Sequence, residues 1–200
     1  MDEKDKRYLK LRVEGDTGES IFKFLIGSMT GWDIIPYGVE THVIALKKQI
    51  KDDYSETPKK IKYMPDFVIL NAEKKIVMLV EVKKLGYVGK TDSNKLIFGL
   101  QKNLIDDYLK FWKEAKLFII HHQEPYFYII DLKDVLPSHK DASNVFANSE
   151  NERNNKRPMD NWNFKDIAKN IKDVFPDLDD GAISEAIKMI PKKEPEQNGE

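Results

Sequence analysis

The chain encodes an α/β fold in which helices flank a mixed β-sheet, and three features of its 200 residues carry that expectation. An apolar pattern of helical period opens the core. Two β-rich segments then flank a tight connection, and a longer helical pattern leads into two more strong strands. In chain order, "GDTGESIFKFLIGSMTG" sets Ile21, Phe22, Leu25, Ile26 and Met29 at helical spacing. Asp16, three residues before Glu19, has the form of a capping box, and Gly31 can stop the helix. "WDIIPYGVETHVIAL" reads as a strand region interrupted by Pro36 and Gly38, and the polar residues 47–60 as a short helix and a loop. Residues 67–70 and 76–80 form two strands joined at 71–75, and "GYVGKTDSN" reads as a loop. "NKLIFGLQKNLIDDYLKFWKEAK" places Leu96, Leu100, Leu104, Tyr108 and Phe111 on one helical stripe, with Gly99 a mild flaw. "KLFIIHH" and "PYFYIIDL" are short strands split at 123–125.

Beyond that core the composition changes. "SHKDASNVFANSENERNNKRPMDN" is Asn-rich and almost without apolar residues, so 137–162 reads as a polar flexible linker. Residues 163–175 and 181–190 are short helical candidates before a tail rich in Lys, Glu and Pro. The expected organisation is a core domain over 1–136, the linker, and a helical appendage over 163–200.

Composition narrows the function classes. The chain is 40% hydrophobic and 34% charged, enough apolar material for one core under a charged surface. No run of about 18 apolar residues exists, so no membrane span is expected. The charged N-terminus lacks the apolar core of a signal peptide, which makes a cytoplasmic protein the expectation. Zero cysteines exclude disulfides, thiolate zinc sites and iron–sulfur clusters. A net charge of −1 excludes binding by bulk charge, although residues 43–62 form a modest local basic surface, with Lys47, Lys48, Lys51, Lys59, Lys60 and Lys62 against Asp52, Asp53 and Glu56.

The chemistry concentrates in "KYMPDFVILNAEKKIVMLVEVKK". Two apolar strands carry two carboxylates and an ammonium at one end, and buried charges are tolerated only when paired or metal-bound. If residues 72–75 form the loop, Asp66 lies directly opposite Glu81, and Glu81 and Lys83 share a face. A slip of one residue would separate them. Two opposed carboxylates call for a hard cation such as Mg²⁺, with Mn²⁺ as its substitute, and the Val82 carbonyl is placed to contribute. A lysine beside such an ion can activate water or neutralise phosphoester charge, so metal-assisted phosphodiester hydrolysis is the expected reaction class.

Pro65-Asp66, fourteen residues, then Glu81-Val82-Lys83 resembles the PD-(D/E)XK nuclease superfamily, particularly its transposon-end and archaeal Holliday junction resolvase-like branches. The resemblance spans roughly residues 16–132 and implies a restriction-endonuclease-like αβββαβ core. It implies Mg²⁺ held by Asp66 and Glu81, Lys83 assisting the attacking water, and an acid from the first helix, for which Glu19 is the candidate. Gln101 fits the family's phosphate-contacting position after the Glu-x-Lys strand. The long segment between Trp32 and Lys62 departs from the compact resolvase pattern.

Competing explanations accompany these residues. Glu19 can be a capping residue, and Glu40 is a rival third acid. Gln101 can flank the apolar stripe. Lys84, Lys90, Lys95 and Lys102 can follow a DNA backbone or simply be solvated. His121 and His122, as adjacent strand residues, should point to opposite faces and not share an ion. The stripe of Tyr108, Phe111 and Trp112 reads as core or as a dimer face. The expected function is a Mg²⁺-dependent DNA endonuclease, acting on double-stranded or branched DNA as a homodimer. The alternative is a nuclease fold kept as a DNA-binding or protein-interaction module.

Overall fold

The computed structural model describes residues 16–38, 55–85, 88–89, 96–141 and 159–191. The fold is mixed α/β. Helix α1 (16–27) buries Ile21, Phe22, Leu25 and Ile26, the stripe expected from the sequence. It already includes Asp16, which therefore lies within the helix rather than ahead of it. Gly31 takes a φ of 77° in the turn beyond α1, a conformation that favours glycine.

Strand β1 (Trp32–Pro36) forms one edge of a six-stranded sheet, where a terminal proline is tolerated. Helix α2 (Glu56–Lys62) follows, then β2 (Phe67–Asn71) and the long β3 (Ile76–Leu85). The β2–β3 turn is residues 72–75, closed by Asn71 Oδ1 accepting from the Lys74 N–H at 2.9 Å. Pairing runs from Phe67 opposite Val80 to Asn71 opposite Ile76, the register expected from the sequence. After β4 (Val88–Gly89), β5 (Ile97–Gln101) and α3 (Leu104–Phe111) come β6 (Lys116–His121) and β7 (Phe127–Asp131). The remaining elements are β8 (Lys140–Asp141), β9 (Met159–Asn163), β10 (Lys169–Asn170), α4 (Ile171–Val174) and α5 (Asp180–Lys188).

The main sheet runs β1-β2-β3-β6-β7-β10, parallel at β3–β6 and antiparallel at its other pairs. A second sheet of four strands runs β4-β5-β9-β8. Alternation along β3 and β6 splits the core in two. Val80, Val82, Phe118 and Ile120 pack with α1, Ile171, Phe175 and Ala186, whereas Leu117 and Ile119 pack with α3, Phe98 and Trp162. Phe22 binds the first layer together, 4.8 Å from Phe118 and 5.5 Å from Phe67 between ring centroids. A Cβ at Gly18 would stand 3.2 Å from the Lys84 Cβ, so glycine lets α1 approach β3 closely.

Two expectations are corrected. The helical stripe from Leu96 is instead a strand, a break and a short helix. Ile97 and Phe98 are both buried, because β5 pairs with β9 some sixty residues away, and Asn103 at a φ of 63° separates β5 from α3. The C-terminal region is likewise no appendage. Residues 137–141 and 159–162, expected within a linker, form a 3₁₀ turn and strands, while 142–158 lie outside the described residues. Asn163 ends a strand, only 171–174 of the 163–175 candidate is helical, and Trp162, Phe164, Phe175 and Leu178 are core. The last helix matches expectation closely. Among the described residues no helix is long and apolar enough to cross a membrane.

Candidate active site

The β2–β3 register brings the expected residues to one edge. Asp66 immediately precedes β2, and its carbonyl accepts from the Tyr37 and Gly38 N–H groups at 2.8 and 3.2 Å, which fixes its backbone. Its Oδ2 accepts from the Val82 N–H at 2.7 Å, so the side chain extends the ladder past the last β2–β3 pair. In an extended strand, one residue's N–H and C=O point to the same side. The Val82 carbonyl therefore lies on the edge that Asp66 occupies.

Glu81 is only 3% exposed. Its Oε1 pairs with the Lys83 ammonium two residues on, while its Oε2 is buried and has no hydrogen-bond partner. Lys83 keeps 31% of its side chain exposed and so faces both the carboxylate and solvent. Two carboxylates against one ammonium leave a negative charge uncompensated in a poorly hydrated place. Burial above all, then the charge of Glu81, pushes the Asp66 carboxyl well above the ordinary aspartate range. Lys83 and the Val82 N–H pull it down less, and Glu19 pushes it up further.

Tyr108 on α3, expected from the sequence in the core or on a dimer face, also stands beside this site. Burial first, then the charge of the neighbouring Glu81, holds its phenol proton well above the usual tyrosine range. The signal was present: a tyrosine within an apolar stripe brings a hydroxyl that needs a partner when buried.

The other candidates separate. Glu19 on α1 pairs with Lys23 at 3.5 Å and reaches Asp66 through its charge. Among the described residues no three His, Cys, Asp or Glu side chains stand close enough together to hold one metal ion. Glu40, Lys90 and Lys95 lie outside the described residues. Lys84 points to the opposite face from Lys83, beneath Gly18 of α1. Gln101 ends β5, exposed and in the second sheet rather than on a helix, and Lys102 follows it in the turn. His121 and His122 do not diverge, because the strand ends at His121 and their rings meet at 4.3 Å.

The donors on the Asp66 edge are all oxygen: two carboxylates and a main-chain carbonyl, with one carboxylate oxygen buried and unpartnered. That set suits a hard divalent cation better than a thiophilic one. No protein-family model matches the chain, and no curated protein matches it.

Proposed function

We propose that the chain is a Mg²⁺-dependent DNA endonuclease with the restriction-endonuclease-like core of the PD-(D/E)XK superfamily. The observation that carries this reading is the convergence of Asp66, Glu81 and Lys83 on one edge, with Glu81 Oε2 buried and lacking a partner. Asp66, Glu81 and the Val82 carbonyl would hold Mg²⁺, or Mn²⁺ in its place. When bound, such an ion polarises a phosphodiester oxygen and makes water more acidic.

The protein groups do the rest. Val82 N–H aims the Asp66 carboxylate, and the buried Tyr108 phenol beside Glu81 keeps its own proton. Lys83, anchored by Glu81 but reachable from solvent, can position a water or meet the charge that develops on the phosphodiester. Glu19 adds negative potential on the α1 side. A two-fold symmetric DNA substrate, such as a four-way junction, would be met by a homodimer.

The second reading, a binding module with weak catalysis, draws on the absence of a three-ligand cluster among the described residues. One assay separates the two: nicking of supercoiled plasmid and of a four-way junction with Mg²⁺ by wild type, Asp66→Ala and Lys83→Ala. A working site predicts that Lys83→Ala lowers the rate by about 10²-fold or more and that Asp66→Ala abolishes it. Equal rates in all three would remove the metal mechanism, and no cleavage with DNA still bound would favour the module.

A further inference from the structure

We infer that α2 and the aromatic pair beside it form a surface for a nucleic-acid backbone, delivering DNA to the Asp66 edge. This deepens, and rests on, the nuclease reading. Helix α2 is unusual in burying none of its seven residues. Core packing therefore does not explain its place, and a helix this short is marginal alone. Its last turn carries Lys59, Lys60 and Lys62, and the chain reaches Asp66 only four residues after Lys62. Cations there suit the helix dipole, but one would suffice for that.

Specific attachments hold the helix against the site. The Trp112 indole N–H donates to the Lys60 carbonyl at 3.2 Å, and the Lys60 ammonium lies 5.5 Å from the same ring. Tyr37 meets Trp112 edge-on at 6.0 Å, and its backbone N–H is one of the two that fix Asp66. Trp112, Tyr37 and Asp66 thus form one continuous strip with Lys60 over its Trp112 end, and Lys62 lies over the nearby Tyr63 ring at 5.9 Å. The acid of α2, Glu56, is taken up by Lys110 at 3.5 Å. The strip presents ammonium groups and polarised aromatic edges next to two carboxylates, which suits a phosphodiester backbone whose scissile bond must reach Asp66.

Fluorescence anisotropy of a labelled mixed-sequence DNA duplex, in EDTA to prevent cleavage, reads the surface directly. Each lost phosphate contact removes about 0.9 from the slope of log affinity against log salt. The Lys59→Gln/Lys60→Gln/Lys62→Gln variant should therefore lose about 40-fold less affinity than wild type between about 50 and 200 mM NaCl. A control carrying Lys133→Gln, Lys165→Gln and Lys188→Gln should behave as wild type. Trp112→Phe, which keeps the ring but not the N–H, should fall between, with melting curves confirming that each variant folds. An unchanged slope in the α2 variant, an equal loss in the control, or no duplex binding by wild type overturns the inference. Asp66-dependent cleavage with an unresponsive slope contradicts the surface alone. Absence of cleavage with a responsive slope contradicts the nuclease reading alone.

Discussion

Glu81 is a carboxylate placed where water hardly reaches, with one oxygen given to Lys83 and the other to nothing. The metal-free protein relieves the crowding by holding the Asp66 proton to higher pH than an ordinary aspartate does, which is the sense of its raised pKa. The folded state then binds more protons than the unfolded one between the ordinary aspartate value and the raised value. Stability of the metal-free protein therefore falls as pH rises through that window. Asp66→Asn removes the slope and should melt higher than wild type at neutral pH in EDTA, since Asn can still accept from Val82. A purely structural Asp66 would instead give a lower melting temperature across the whole pH range. Tyr108→Phe keeps the ring and deletes a buried hydroxyl near the Glu81 charge, so it should cost about 1–3 kcal/mol in denaturant unfolding and slow cleavage. These residues differ in legibility. Asp66, Glu81 and Lys83 could be placed from spacing alone, but Tyr108 could not, because α3 and β3 meet only through the tertiary fold.

At the scale of elements, the β2–β3 register was readable because two continuous apolar runs around a four-residue turn admit few pairings. The region from Leu96 was misread for a physical reason. Leu96, Leu100, Leu104 and Tyr108 satisfy a helical period, while the force that makes β5 a strand comes from β9, far along the chain. The histidine pair was misread because alternation holds only while the strand continues, and β6 ends at His121. The α1–β3 contact yields a prediction. Gly18→Val would place side-chain atoms where even a Cβ comes within 3.2 Å of β3. It should destabilise by about 1–3 kcal/mol in urea titration. Cleavage should fall as well, because α1 carries the Glu19 charge toward Asp66. Unchanged stability would mean that the helix can shift outward freely.

For the whole molecule, the boundary drawn from composition separated segments that the fold joins. The polar stretch after Pro137 hid the fact that β9 completes the second sheet and β10 closes the first. Apolar residues were few there, yet Trp162, Phe164, Ile171 and Phe175 are all core. A chain ending at residue 141 should therefore fail to fold cooperatively, checked by circular dichroism and thermal melting. A truncated chain that melts like the full one would restore the appendage. The central claim is that this whole assembly holds Asp66 and Glu81 together for a divalent cation. Calorimetric titration of Mn²⁺ into wild type, Asp66→Asn and Glu81→Gln tests it most directly. Wild type should bind about one ion per chain and release protons into the buffer near the pH where Asp66 is still protonated, and both variants should bind far more weakly. No binding at millimolar metal, or equal binding by all three proteins, would contradict it.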